Sequence, residues 1–152
     1  MNSSEIINED FIELNVRARS KEDALREVAK VAFHAGRVKD IASYHNGLLE
    51  REDTSTTGFG GGIAIPHAKI NDVLKPSVFV VKLEEPVEWN AMDDKPVQLL
   101  IALAVPTEQE GTQHLKLLAK LSENLMEEDF TDSLLFAKTE QEIYTVIKNI
   151  FE

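Results

Sequence analysis

The run from Val97 to Val105, VQLLIALAV, constrains the fold of this chain more than any other stretch of it. Only Gln98 interrupts its apolar character. An unbroken run of that length reads as a β-strand covered on both faces, because a strand with one face in water alternates apolar and polar residues. Covering both faces requires helices on either side of a sheet. Ser77 to Leu83 (SVFVVKL) supplies a second strand.

The rest of the chain provides the partners. Phe11 to Arg17 alternates, with Ile12, Leu14 and Val16 on one side, and reads as a half-buried strand. Ser20, three residues before Asp23, opens a helix whose inward stripe is Ala24, Leu25, Val28, Val31, Ala32 and Ala35, and Gly36 ends it. Asp40 starts a second helix through Tyr44, Leu48 and Leu49 to about Glu50, with Gly47 as a weak point inside it. Thr112 to about Met126 is helical, with Leu115, Leu118, Leu121 and Leu125 at the proper spacing. Thr139 and Glu142 form a capping box for a last helix through Ile143, Val146, Ile147 and Ile150. The order βαα, several strands, then αα predicts an α/β fold in which a mixed β-sheet is covered by helices on both faces. At 152 residues, with no repeat, linker or low-complexity segment, residues 1–152 read as a single domain.

Charge and residue usage narrow the function. Sixteen Lys and Arg stand against 27 Asp and Glu, a net charge of -11 that repels phosphate backbones and argues against nucleic-acid binding. No segment approaches the roughly 18 apolar residues of a membrane span, and MNSSEIINEDFIEL lacks the basic and apolar regions of a secretion signal. A cytoplasmic protein with no direct membrane insertion is the expectation. The absence of cysteine removes thiol nucleophiles and thiolate metal sites.

Arg51 to Lys69, REDTSTTGFGGGIAIPHAK, holds four of the chain's seven glycines and one of its four histidines. It is not a P-loop, which would end in Gly-Lys-Ser or Gly-Lys-Thr where this chain has Gly62-Ile63-Ala64. It is not a dinucleotide fingerprint either, since Ile63 stands where a glycine is required. No HExxH or GxSxG motif is present, and no two histidines stand at helix spacing for a metal. His67 remains. A strand Ile63 to Ile65 would bring the chain out of the sheet, Pro66 would end the ladder, and His67 would emerge at the sheet's end with glycines clearing its approach. Local sequence leaves two readings equal: a stiffly held, exposed nucleophilic imidazole, or an ordinary surface histidine beside an irregular hairpin.

LLERED, STTGFGGGIAIPHAK and HLKLLAKL together resemble the enzyme IIA domain of the fructose–mannitol family of the bacterial phosphoenolpyruvate-dependent sugar phosphotransferase system. The similarity extends from SKEDALREVAKVAFHAGRV through EEPVEWNAMDDKPVQLLIALAVP to the terminal helix. It implies a phosphotransferase, free of cofactor and metal, whose His67 accepts a phosphoryl group on Nε2 from the phosphocarrier HPr. His67 then passes the group to a cysteine of enzyme IIB, itself linked to the membrane enzyme IIC. With neither cysteine nor membrane segment here, those functions are expected on other chains.

The same resemblance makes Arg51 a brace for the phosphoryl group and His114 a neutral donor that stabilises transferred charge; packing into the helix stripe is the other reading of His114. Thr57, Gly58 and Gly60 are implied as the phosphate-side loop, with the Thr57 hydroxyl either donating to phosphate or holding the turn. For Nε2 to present its lone pair, Nδ1 has to keep its hydrogen and donate it to a carbonyl. Phe59, Ile63 and Ile70 are candidates for an exposed apolar docking patch. His34 and His45 read as surface or packing residues. Ala68 and Gly61 depart from the family's usual glycine and larger polar residue without removing a reacting group. Nitrogen-related enzyme IIA paralogues share the motif, so a regulatory protein that binds targets according to its phosphorylation state is the alternative to sugar uptake. A chain that kept the fold and lost catalysis is disfavoured by the presence of Arg51, His67 and His114.

Overall fold

The computed structural model of the chain describes residues 6–107 and 112–151, except that the side chains of residues 112–114 lie outside that description. A 3-10 turn over Glu9–Phe11 leads into β1 (Ile12–Val16). Ser20 then caps α1 (Lys21–His34) by accepting from the Asp23 amide at 3.1 Å, while the Asp23 carboxylate accepts from the Arg19 amide at 3.2 Å. Gly36, at φ +74°, closes that helix: its amide reaches Phe33 O and the Arg37 amide reaches Ala32 O, both at 3.0 Å.

Asp40 caps α2 (Ile41–Thr54) through the Ser43 amide at 3.0 Å. This helix runs a turn beyond the expected end near Glu50, which places Arg51 and Glu52 on its last turn. Gly47 is the reason it can lie so close to the sheet. A Cβ there would stand 3.1 Å from both Ala68 Cβ and Ile70 Cγ2.

Three short strands follow, β2 (Gly58–Gly60), β3 (Ile63–Ala64) and β4 (His67–Lys69), then the long β5 (Ser77–Val87) and β6 (Val97–Val105). The six-stranded sheet has the order β1-β5-β6-β3-β2, with β4 also on β6. β5 and β6 are antiparallel, whereas β3 and β4 run parallel to β6, so the sheet is mixed as the sequence predicts. Pro66 does not end the ladder. It lacks an N–H, but its carbonyl accepts from the Leu103 amide at 2.9 Å, and pairing resumes with His67 opposite Leu103. His67 therefore sits within a strand rather than beyond the sheet's end.

Helices α3 (Thr112–Leu125), α4 (Glu128–Leu135) and α5 (Glu140–Phe151) complete the described chain. The sheet's alternation sorts two cores. Phe79, Val81, Leu100, Ala102 and Ala104 pack with α1 and α2, and Val78, Val80, Leu99, Ile101 and Leu103 pack with α3, α4 and α5. Every residue of β6 except Gln98 is buried, as its composition requires. The Tyr44 hydroxyl, on α2, donates to Leu103 O at 3.0 Å and so ties this helix to β6 at the residue paired with His67. Two sequence expectations change on the α3 side. Leu117, not Leu115, joins Leu121 and Leu125 in the core, with Leu115 64% exposed, and the short α4 has no counterpart in the sequence reading.

Candidate functional site

His67 is held by both ring nitrogens. Nδ1 lies 2.9 Å from Ile65 O, and Nε2 lies 3.0 Å from Arg51 Nε. A carbonyl can only accept and a guanidinium can only donate, so the pair of contacts fixes one neutral tautomer. Nδ1 carries the hydrogen and Nε2 carries the lone pair. This is the arrangement expected for an imidazole that reacts at Nε2. His67 is only 8% exposed, less open than the sequence suggested.

The surroundings keep the ring neutral. Burial lowers the His67 pKa below the usual 6.5; the Ile65 hydrogen bond opposes this, the Arg51 charge lowers it further, and Glu52 acts in the raising direction. Arg51 is itself anchored, because its Nη1 donates to Ser55 O at 2.8 Å, just past the end of α2. Extension of α2 through Thr54 is what makes this possible: a helix ending at Glu50 would leave Arg51 on a loop.

Thr57, Gly58 and Gly60 follow Arg51 in the chain, and the polar groups of Thr57 and the Gly58 amide face protein. The Thr57 amide and hydroxyl donate to the two oxygens of Glu52 at 2.8 and 2.5 Å, and the Gly58 amide donates to Thr56 Oγ1 at 3.0 Å. Of the two readings of Thr57, the structure shows the one that holds the turn. Gly58 is glycine for close packing, since a Cβ there would lie 2.6 Å from Ala91 Cβ and 2.8 Å from Ala91 Cα. Gly60 makes the hairpin turn at φ +125° against the Asp93 carboxylate, which accepts from the Gly61 amide at 2.9 Å. In the unphosphorylated chain this loop thus serves packing and the turn.

The remaining residues divide similarly. His114 lies in the first turn of α3, and its side chain falls outside the described residues. Ile63 is fully buried in the core and cannot belong to an exposed patch, while Phe59 and Ile70 are half-buried against the two cores. His45 is buried and its Nε2–H donates to Glu22 O at 3.1 Å, as a packing histidine would; His34 is exposed. Sequence reasoning gave Glu52 no part in the site. It is 7% exposed and instead accepts from Thr56, Thr57 and Trp89. The only local signal was its place beside Arg51.

A neutral imidazole with a committed tautomer, bordered by an arginine on a mixed α/β sheet, suits group transfer through a nucleophilic histidine. The family described as "Phosphoenolpyruvate-dependent sugar phosphotransferase system, EIIA 2" matches residues 5–150, and the chain belongs to that family. The chain is 41% identical over 143 residues to the "PTS system fructose-specific EIIA component" of Haloferax volcanii, with 94% of this chain and 92% of that protein covered. It is 34% identical over 137 residues to a "Nitrogen regulatory protein" of Pseudomonas aeruginosa, with 90% and 88% covered. Among solved structures, enzyme IIAMTL in the complex with phosphorylated enzyme IIBMTL from Escherichia coli shares the fold, with TM-score 0.79, 23% identity and 94% and 97% covered. As an EIIA component, the chain is a phosphotransferase that uses a phosphohistidine intermediate.

Proposed function

We propose that His67 is the residue phosphorylated, that HPr is the donor, and that the acceptor is a cysteine of an enzyme IIB serving the uptake of fructose or a related sugar. The observation that carries this reading is the tautomer of His67, with Nδ1–H on Ile65 O and the Nε2 lone pair turned to Arg51. In the first transfer the phosphorus–nitrogen bond of phospho-HPr breaks as the bond to His67 Nε2 forms. Nδ1 keeps its hydrogen throughout, so no proton has to leave the ring. In the second transfer the bond to Nε2 breaks, a bond to the sulfur of the cysteine thiolate forms, and the imidazole returns to its starting tautomer. Arg51 Nε–H occupies the direction from which phosphorus must arrive. The guanidinium therefore turns aside on phosphorylation and offers its N–H groups to the phosphoryl oxygens, where they offset developing charge. His114 is the second donor in this reading. The fructose-specific relative supports the sugar assignment, and the phosphorylated IIB bound to the mannitol protein supports a IIB partner. Action in the cytoplasm fits the finding that no helix among the described residues is long and apolar enough to cross a membrane.

The test is to mix the protein with phosphorylated HPr and follow phosphate that is labile in acid and stable in base. His67→Ala is expected to abolish it; full phosphorylation of that variant would overturn the assignment. The nitrogen regulatory relative keeps a second reading open, in which phosphorylation gates binding to target proteins. Phospho-His67 that transfers to a sugar-specific IIB supports uptake, and phospho-His67 that transfers to none supports regulation.

A further inference from the structure

A carboxyl group with 7% exposure needs a reason to be inside, because burying it without partners is strongly unfavourable. Glu52 has partners at both oxygens. Oε1 accepts from the Thr57 amide at 2.8 Å, Trp89 Nε1 at 3.0 Å and Thr56 Oγ1 at 3.3 Å, and Oε2 accepts from Thr57 Oγ1 at 2.5 Å. These donors come from the loop after α2 and from a tryptophan 37 residues downstream, so the carboxylate draws two separate segments onto the last turn of α2.

The segment so held leads to His67. The Thr57 carbonyl accepts from the Ile65 amide at 2.9 Å, and the Ile65 carbonyl accepts from His67 Nδ1 at 2.9 Å. Both faces of one short stretch of backbone are thereby engaged: Glu52 fixes Thr57, Thr57 fixes Ile65, and Ile65 sets the imidazole. The neighbouring residue, Arg51, reaches the opposite ring nitrogen directly. Consecutive residues of one helical turn thus address the two nitrogens by different routes. β4 pairing fixes the His67 backbone, but it does not choose the ring's rotation or its tautomer.

We infer that Glu52 is a positioning residue for phosphoryl transfer, acting through Thr57 and the Ile65 carbonyl to keep the hydrogen on His67 Nδ1 and the lone pair on Nε2. The inference rests on the proposed role of His67. It assigns Trp89 a part as well, because the indole N–H shares Oε1 with the Thr57 amide and keeps that oxygen from turning away.

The experiment reads the ring and the reaction separately. Ring nitrogen shifts of His67, measured by long-range proton–nitrogen correlation at pH 7.5, report the tautomer without any partner present, and the rate of phosphate uptake from phospho-HPr reports the chemistry. In Glu52→Ala, His67 is expected to show a mixture of tautomers, with uptake slowed about 10- to 100-fold, as befits lost alignment rather than a lost reacting group. Glu52→Gln keeps an oxygen for Trp89 and the Thr57 amide and is expected to restore the single tautomer and a rate within about threefold of the parent. Should Glu52→Ala fail to fold, Thr57→Val removes only the hydroxyl donor, and partial mixing with a loss of about threefold or more is expected. A folded Glu52→Ala or Thr57→Val protein with an unchanged tautomer and an unchanged rate overturns the inference. Phosphorylation of His67→Ala would instead overturn the role of His67 and leave the tautomer result standing.

Discussion

Arg51 Nε donates to His67 Nε2 at 3.0 Å, so in the resting protein the nitrogen proposed to receive phosphorus is already occupied by a hydrogen bond. The contact holds the lone pair in place and adds to the lowering of the histidine pKa.

That lowering has a pH signature. With the folded pKa below the unfolded value of about 6.5, the unfolded chain takes up the proton first as pH falls. Stability is therefore undiminished by this group above about pH 6.5 and declines as pH drops through the interval between the unfolded and folded pKa values. His67→Gln is expected to flatten that part of a stability-against-pH curve measured with urea. In Arg51→Ala, a proton titration of His67 should give a pKa above the parent's, since a positive neighbour has been removed; an equal or lower value would refute the electrostatic role of Arg51.

Gly58 makes a sharper steric prediction. A methyl there meets Ala91 Cβ at 2.6 Å, Ala91 Cα at 2.8 Å and Trp89 Cδ1 at 2.8 Å, all on a loop that must then move. Gly58→Ala should cost about 1 to 3 kcal/mol in urea unfolding. Adding Ala91→Gly should recover only part of the loss, because the backbone Cα and the indole remain in the way. Full recovery would mean that the Ala91 methyl was the sole obstacle.

Lys82 caps a helix from a neighbouring strand. Its ammonium donates to Leu135 O and, at 2.8 Å, to Ala137 O at the C-terminal end of α4, and partial burial lowers its pKa. Lys82→Met keeps most of the stem and removes the donors, so the urea midpoint should fall by the equivalent of about 1 to 2 kcal/mol with the slope unchanged. An unmoved midpoint would show that water replaces the lysine without loss.

What could be read in the sequence follows from how local each signal is. α1 was legible at both ends because Ser20, Asp23 and Gly36 act within a turn of themselves, and the buried strand over Val97–Val105 was legible from its own composition. The end of α2 was misplaced because Thr54 and Ser55 carry no stop signal; what rewards the extra turn is Glu52 meeting Trp89, a contact no local window contains. Pro66 reads as a terminus because proline cannot donate, yet its carbonyl still accepts from Leu103. Within the site, His67 and Arg51 were visible through their resemblance to a family. The carboxylate behind them was not, since a buried glutamate is defined by its donors and those lie elsewhere in the chain.

The resumption of pairing after Pro66 has a consequence for traffic through the site. With its backbone in register against β6 and its ring pinned from both sides, His67 cannot swing between a loading and an unloading position as a residue on a swinging arm would. It is a fixed berth. On the proposed role of His67, donor and acceptor have to come to the same nitrogen, each leaving before the other can dock, and the part of the site that moves is the Arg51 guanidinium rather than the imidazole.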